Sequence, residues 1–325
     1  MEERQKNILP DSLKDHCLAN KYKYVNFDEG SGFWKPFGGD FVISRPHATF
    51  NMSTFFNSKV DPFEELETVT MEKGDFLLIA VMKTGTHLLY EIMRMLANGK
   101  AAYVKDPKEL AWLEIQPYHT ILQNTSQPRF INTHLVPSWL PPNFRRSDTK
   151  IVATLRNPKD AFVSYFHHHK DDFKPGEQVK AWKDTFNWLL HCKEAGWSNY
   201  LAMYADIWDN CKNDPNVLIV YYEHLVLKPE ESIRSIAKHM GVAYTSDLIQ
   251  EVVAACDVEK MRKGKVSLKL NSGKVESELI ENYGMFYRKG KIGDWKNWFS
   301  VAQNEEFHRV FDEWNKSRQI PFIFE

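Results

Sequence analysis

A repeated alternation between short apolar runs and helical patterns constrains the fold of this chain more than any other feature. Four runs have the length of buried strands, and three of them are rich in β-branched residues, as buried parallel strands tend to be. These runs are residues 75–81, 129–133, 151–155 and 217–221. Because strands that alternate with helices are joined by right-handed crossovers, this order predicts a parallel sheet flanked by helices. The predicted fold class is α/β.

The helical segments carry their own boundary signals. The predicted helices are 86–97, a segment that begins after Asn157, and 229–240. Asn157 can cap the second helix, and Pro158 suits its first turn, where no hydrogen-bonded N–H is needed. Gly99 and Gly241 follow the other two helices and are typical stop residues. A chain of 325 residues with these elements is long enough for one large globular domain.

The charge balance limits the partners of the protein. With 42 Lys and Arg against 43 Asp and Glu, the formal net charge is −1, which argues against general affinity for nucleic acid or an anionic membrane. The sequence lacks a signal-peptide core and a bilayer-spanning apolar run. Its four cysteines form no CxxC pair and are typical of reduced thiols. We expect a cytoplasmic protein with no nucleic-acid or membrane partner, in which any anion site is local.

The stretch "MKTGT" lies between the first apolar run and the first helix. Ligands of such sheets bind beyond the carboxyl ends of the strands. Gly85 lets the backbone approach an oxyanion, the helix N-terminus offers free N–H groups, and Lys83 adds a positive charge. The order differs from that of a Walker A loop, because the lysine precedes the glycine and Gly74 lies too far back. The alternative is an ordinary strand-helix turn with a solvated lysine.

Three other segments place polar residues near the same edge. Arg156 ends a predicted strand, and Ser164 follows about two helical turns later, so both can face one crevice. An arginine there suits a forked contact with phosphate. His134 follows another strand and is a candidate general base, although a lone histidine is often structural. The loop 288–290 adds two cations and a glycine, with a solvated basic loop as its alternative.

Five motifs occur in the order of one known family. "MKTGTHLL" resembles "PKSGTTW", "NTHLVPSWLP" resembles "KTHLP", "LRNPKDAFVSYF" resembles "ARNPKDVAVSYY", "VYYEHL" resembles "YEDM", and "RKGKIGDWK" resembles "RKGxxGDWK". These motifs are typical of the cytosolic sulfotransferases, which move a sulfuryl group from 3′-phosphoadenosine 5′-phosphosulfate (PAPS) to a hydroxyl or amine. The resemblance runs from about residue 76 to near the C-terminus. It implies a P-loop-like sulfotransferase fold.

The resemblance also implies a role for each matched residue. Its phosphosulfate-binding residues are Lys83, Thr84, Gly85 and Thr86, its 3′-phosphate ligands are Arg156, Ser164, Arg288, Lys289 and Gly290, and Tyr222 contacts the adenine. The predicted catalytic residues are His134, Lys83, Ser164 and Asn132. Within this set His134 removes the proton of the acceptor, and Lys83 neutralises charge on the oxygen that leaves sulfur. No metal is implied.

Several nucleotide-binding positions depart from the family pattern. Leu88 stands in place of the family tryptophan, and Cys256, Asp257 and Val258 align with its "TSF" segment, so both aromatic residues that sandwich the adenine are missing. His87 replaces a threonine of the phosphate loop. Asn132 replaces the lysine that helps to neutralise the sulfuryl group. We expect His87, Leu88 and residues 256–258 to border the nucleotide and Asn132 to lie at the catalytic centre. We also consider the hypothesis that His87 partly compensates for the missing charge.

These observations predict a sulfotransferase that acts on a small, largely apolar phenol, alcohol or sterol. A weakly active or inactive relative that binds nucleotide is the alternative, and a nucleotide kinase with an unusual phosphate loop is a further one. We expect residues 1–75 to form an N-terminal extension with acceptor-pocket segments, packed on a catalytic domain of residues 76–325. The family dimer motif keeps only Lys269 and Glu278, which predicts a monomer or a weak homodimer.

Overall fold

A computed structural model describes residues 23–26, 32–35, 70–114, 116, 118–140, 144, 148–169, 176–192, 199–267 and 283–325 of the chain. Within them, a two-stranded antiparallel sheet pairs β1 (Lys23–Asn26) with β2 (Gly32–Lys35). The main sheet contains β3 (Phe76–Ala80), β4 (Phe130–Thr133), β5 (Lys150–Leu155) and β6 (Val217–Tyr221). These strands are parallel and run in the order β4-β3-β5-β6.

Helices follow and cover the strands. They are α1 (Thr86–Ala97), α2 (Tyr118–Asn124), α3 (Pro158–His168), α4 (Gln178–His191), α5 (Tyr200–Cys211), α6 (Tyr222–Leu227), α7 (Pro229–Met240), α8 (Ser246–Ala255), α9 (Val258–Ser267) and α10 (Val301–Asn315). Short 3₁₀ helices span Lys108–Ala111, Pro137–Trp139, Tyr283–Phe286 and Asp294–Asn297. The predicted α/β class is confirmed.

The alternation of side chains along β3 divides the core into two layers. Leu77 and Ile79 pack in one cluster with residues of α3, α4, α5 and α10. Phe76 and Leu78 pack on the opposite face with residues of α1, α7 and α8. Both faces of the strand are buried, which explains why its sequence is continuously apolar rather than alternating.

Local signals set the element boundaries. The predicted bounds of α1, α7 and β6 agree with the structure, and the other three strands begin or end within one residue of prediction. The Asn157 side chain accepts hydrogen bonds from the backbone N–H groups of Lys159 and Asp160, and Pro158 occupies the first turn of α3. Gly241 ends α7 in the left-handed conformation, as a helix stop requires.

The strand order creates a crevice at one end of the sheet. β3 lies between β4 and β5 in the sheet. The chain therefore passes from β3 to β4 on one side and then crosses to β5 on the other side of β3, and a crevice forms where the strand order reverses. Hydrogen bonds connect the loop after β3 to the carboxyl end of β5. The Thr154 hydroxyl donates to the Thr84 carbonyl at 3.0 Å, and Arg156 Nη1 donates to the Lys83 carbonyl at 2.9 Å.

Two predictions fall largely outside the described residues. Apart from β1 and β2, the structure describes nothing before residue 70, so the packing of the N-terminal extension stays a prediction. Lys269 and Glu278 of the dimer motif lie in the segment 268–282, which is not described either. In the described ranges, no helix has both the length and the apolar character needed to cross a membrane, and Cys256 is a free thiol.

Candidate active site

A cavity of about 560 Å³ opens at the carboxyl ends of β3, β4 and β5. This volume lies in the range of small-molecule sites, about 300 to 1,000 Å³. Most predicted site residues line it: Lys83, Gly85, Thr86, His87, Leu88, His134, Arg156, Ser164, Tyr222, Cys256, Asp257, Val258, Arg288, Lys289 and Gly290. Thr84 and Asn132 do not appear in its lining, and both are buried behind it.

The loop after β3 adopts an unusual backbone conformation. Lys83 has a φ of 63°, which is uncommon for a residue with a side chain, and Gly85 has a φ of 98°. A Cβ atom at Gly85 would lie 2.6 Å from a ring carbon of Tyr222, so only glycine allows this close approach. The Thr84 hydroxyl donates to the Val81 carbonyl at 2.6 Å, which turns its side chain away from the cavity. The loop therefore presents backbone and Lys83 to a ligand.

Positive charges concentrate around the loop after β3. The Arg156 guanidinium lies 4.2 Å from the centre of the Tyr222 ring and is held by its bond to the Lys83 carbonyl. Within the described residues, its buried Nε has no hydrogen-bond partner. Burial, followed by the charges of Arg156, Lys108 and Arg288, lowers the pKa of Lys83 to about 7. Each of these observations favours an anionic ligand.

An internal carboxylate organises the basic loop 288–290. Asp294 pairs with Arg288 and Lys289, each at 2.6 Å. Gly290 has a φ of 63°, and a Cβ atom there would lie 2.8 Å from Cβ of Val258. The loop thus packs closely on Val258, which a bulky residue at position 290 would prevent.

Asp160 joins this loop to α3. Its carboxylate accepts hydrogen bonds from the backbone N–H groups of Gly293 at 2.7 Å and Trp295 at 2.8 Å. The Asn157 side chain donates to the same carboxylate at 3.3 Å. Two motifs that lie more than 130 residues apart in sequence are thereby held in one wall of the cavity.

His134 has the geometry of a neutral base. Its Nδ1 interacts with the Ala80 carbonyl, which can only accept, so Nδ1 carries the proton and Nε2 is the basic nitrogen. The backbone N–H of His134 donates to Glu114, and the ring meets Trp112 edge-on with centroids 5.0 Å apart. Burial, followed by the charge of Lys108, lowers the pKa of His134 to about 3. The imidazole is therefore unprotonated at neutral pH.

The other end of the cavity is largely aliphatic. Leu88 and Val258 line it together with Ile92, Leu225, Ile233, Val253, Cys256 and Met261. Tyr222 and Tyr287 add ring surface at its sides. This end combines the two positions where the family pattern has aromatic residues with further aliphatic side chains, so a planar group there would contact hydrocarbon rather than a pair of stacked rings.

Sequence reasoning missed the residues around Asn132. The Asn132 amide donates to the carbonyls of Lys108 at 2.7 Å and Ala111 at 2.9 Å, and its oxygen lies 3.4 Å from Lys108 Nζ. Lys108 and Glu109 line the cavity in its place. The segment "DPKEL" matches no motif and resembles a solvated turn, so no signal in the sequence pointed to them.

His87 lies between Glu109 and Phe286 at the cavity. Its Nε2 lies 3.1 Å from Oε1 of Glu109, and its ring stacks on Phe286 with centroids 4.0 Å apart. Burial, followed by the charge of Lys108, lowers the pKa of His87 to about 4, so the ring is neutral at neutral pH. Partial compensation by His87 stays a hypothesis, which the transfer rate of a His87→Ala variant tests. In the described parts of the chain, no group of three or more His, Cys, Asp or Glu side chains is placed to hold a metal ion.

Comparison with known proteins identifies the architecture. The family model described as "Sulfotransferase domain" matches residues 73–318. Human sulfotransferase 1C2 is 27% identical over 284 residues, which cover 82% of this chain and 91% of that protein. Human sulfotransferase 2A1 is 27% identical over 245 residues and covers 74% and 83%. The crystal structure of mouse sulfotransferase SULT7A1 complexed with PAP, the adenosine 3′,5′-bisphosphate product, is 23% identical, with a TM-score of 0.67 over 91% of this chain and 96% of that one.

Proposed function

The chain belongs to the sulfotransferase family, and from this premise we propose that it is a PAPS-dependent sulfotransferase acting on a small, largely apolar acceptor. One observation carries the proposal. Lys83, Arg156 and His134 follow three neighbouring parallel strands and line a single cavity. Two cations and a neutral base at one strand edge match the needs of a reaction that transfers an anionic group to a hydroxyl.

The donor fits the charged end of the cavity. The phosphosulfate binds the loop 83–86 at the start of α1, where backbone N–H groups and Lys83 meet its oxygens. The 3′-phosphate binds Arg156, Ser164 and the loop 288–290. Nε of Arg156 has no hydrogen-bond partner among the described residues, so it is available as one donor. The adenine enters the aliphatic end beside Tyr222. Burial and, after it, the neighbouring cations lower the pKa of Lys83, and a nucleotide with several negative charges offsets the repulsion from those cations.

The chemical step moves the sulfuryl group in line between two oxygens. The acceptor oxygen attacks sulfur, the bond between sulfur and the 5′-phosphate oxygen breaks, and its electron pair stays on that oxygen. Lys83 stabilises the charge that develops there. The acceptor proton passes to Nε2 of His134, whose tautomer is set by the Ala80 carbonyl. PAP and a sulfated acceptor are the products.

Aromatic side chains of the cavity bear on the choice of acceptor. Trp112 lies beside His134, and Tyr165 and Phe286 also line the cavity, which favours an apolar body that carries one hydroxyl or amine. A structurally similar protein, with a TM-score of 0.67 and 17% identity, is described as retinol dehydratase in complex with retinol and PAP. We propose a phenol, alcohol or sterol acceptor, a cytoplasmic location, and a monomer or weak homodimer.

An inactive nucleotide-binding relative is the second candidate, because Leu88 and Asn132 depart from the family pattern. A nucleotide kinase is disfavoured by the residue order of the loop after β3. Transfer of labelled sulfate from PAPS to a panel of phenols, sterols and alcohols tests the proposal, alongside titration with PAP and ATP. Transfer to at least one acceptor and preference for PAP are expected. Preference for ATP would overturn the proposal, and tight PAP binding without transfer would favour the second candidate.

A further inference from the structure

Lys108 is a buried cation at the wall of the cavity. Its residue is 1% exposed, yet it belongs to the cavity lining. Its Nζ lies 3.3 Å from Oε1 of Glu109, 3.4 Å from Oδ1 of Asn132 and 4.2 Å from the centre of the Trp112 ring. Lysine is almost never buried unless it is paired, and Glu109 supplies the pair here. The pair does not explain why this buried cation lines the cavity.

The charge of Lys108 acts on the groups proposed to carry out the reaction. After burial, it is the largest cause of the lowered pKa of both His134 and His87. It also contributes to the lowered pKa of Lys83. Nζ of Lys108 lies 4.2 Å from the centre of the Trp112 ring, which meets the His134 ring edge-on with centroids 5.0 Å apart, and Lys108, Lys83 and His134 line one cavity. In the proposed reaction, the sulfuryl group lies in this part of the cavity.

Neighbouring residues hold this ammonium in place. Glu109 is shared between Lys108 at 3.3 Å and His87 at 3.1 Å. Although burial acts in the opposite direction, Lys108 and His87 keep the pKa of Glu109 well below its usual range, so the carboxylate stays charged. The Asn132 amide binds the carbonyls of Lys108 and Ala111, which fixes the 3₁₀ turn at the end of β4. The residue that replaces the family lysine thus positions another lysine.

We propose that Lys108 is a catalytic residue whose ammonium binds the nonbridging oxygens of the sulfuryl group during transfer. This inference rests on the proposed sulfotransferase function. Lys108 donates hydrogen bonds and exchanges no proton, so the bonds that form and break are those already described. The positive charge that the family pattern places at position 132 comes here from a different element and reaches the same part of the cavity. Glu109 and Asn132 are positioning residues.

The first experiment separates this role from a structural one. In Lys108→Met, kcat for sulfate transfer is expected to fall about 100-fold, as for the loss of one oxyanion donor, with the Kd of PAP changed less than about twofold because PAP lacks the sulfuryl group. Lys108→Arg is expected to retain most of the activity. Lys105→Met serves as the matched control, since Lys105 is an exposed lysine of the same segment and does not line the cavity.

Relocation of the charge is the sharper test. The double variant Lys108→Met/Asn132→Lys is expected to regain at least about tenfold in kcat over Lys108→Met, because the cation returns by another route. Binding gives a readout that needs no acceptor: Lys108→Met is expected to weaken PAPS about tenfold more than PAP. Unchanged kcat and PAPS affinity in Lys108→Met, or equal losses for PAPS and PAP, would overturn the inference while leaving the proposed function intact. Failure of the wild-type protein to bind PAPS or PAP would overturn both.

Discussion

Two walls of the cavity place their charges in different ways. In the phosphate wall, formed by Lys83, Arg156 and Arg288, every cation occupies a position that its motif predicts. In the second wall, formed by Lys108 and Glu109 with Asn132 buried behind them, the motif position holds an amide and the cation comes from a 3₁₀ turn. The contrast indicates that a charge can be specified by its location in space rather than by its position in a motif. A site that binds phosphate through backbone N–H groups has less freedom of this kind, because those groups belong to one loop and a side chain from another element does not replace them.

The largest expected effect is that of removing the proposed base, His134. Because a positioned base contributes about 10²- to 10⁴-fold, His134→Ala is expected to lower kcat about 1,000-fold with little change in PAP affinity. Steady-state transfer and a PAP titration measure both. His191→Ala, on a histidine that does not line the cavity, is the control. Full activity of His134→Ala would show that the base belongs to another residue.

The second effect tests the phosphate wall by itself. Arg156→Gln is expected to weaken PAP about 100-fold, or about 3 kcal/mol, because a charge-assisted contact and its partners are lost together. Calorimetric titration of PAP measures the change. Arg234→Gln is the matched control, since Arg234 forms a surface pair with Glu230 on α7. A loss no larger than that of the control would remove Arg156 from the nucleotide site.

The pH dependence of PAP binding tests the charge on Lys83. Its free-state pKa is lowered to about 7, and the anionic ligand favours the protonated form, so binding takes up a proton above that pH. PAP affinity is expected to fall about tenfold between pH 6 and pH 8. The Lys83→Met variant is expected to bind PAP more weakly and to lose this pH dependence. Comparison of the two profiles also separates titration of Lys83 from titration of the PAP phosphates. An identical pH profile in Lys83→Met would contradict the assignment.

The smallest expected effect concerns the aliphatic end. Leu88→Trp supplies one stacking surface, which is expected to tighten PAP by about 1 kcal/mol, or about fivefold. Leu88→Met is the matched control, because it changes the shape of the side chain without adding an aromatic ring. Competition between PAP and a fluorescent nucleotide is sensitive enough to measure the difference. Weaker binding of PAP to Leu88→Trp would indicate that the aliphatic end is shaped for a group other than a stacked base.

Much of the fold and one wall of the site were predictable from sequence. The bounds of α1 and α7 follow from Gly99, Gly241 and the residues before them, which act within a few positions. The proximity of Lys83 and Arg156 was predictable, because the loops that follow neighbouring parallel strands such as β3 and β5 meet at one edge of the sheet. Leu88 is partly buried at the cavity, as its alignment with a nucleotide-contacting position predicted. The roles of these residues stay predictions until they are tested.

The second wall was not predictable. Lys108 and Glu109 look like solvated charges in "DPKEL", and Asn132 looks like the loss of a charge. Their pairing joins positions 24 and 22 residues apart, between Lys108 and Asn132 and between Glu109 and His87. No periodicity or capping rule relates such positions, since the contacts depend on how a 3₁₀ turn packs between α1 and β4.

The sequence by itself determined the order of strands and helices, the family and the chemistry of the strand-end loops, because each of these is encoded in contiguous residues. Only the tertiary structure decided which cations face the cavity and which groups are charged. Burial moves the pKa values of Lys83, His87 and His134 downward, and burial is a property of the packed chain. The position of Lys108 beside Asn132 depends on the same packing, since a side chain becomes a buried cation only when distant elements close around it.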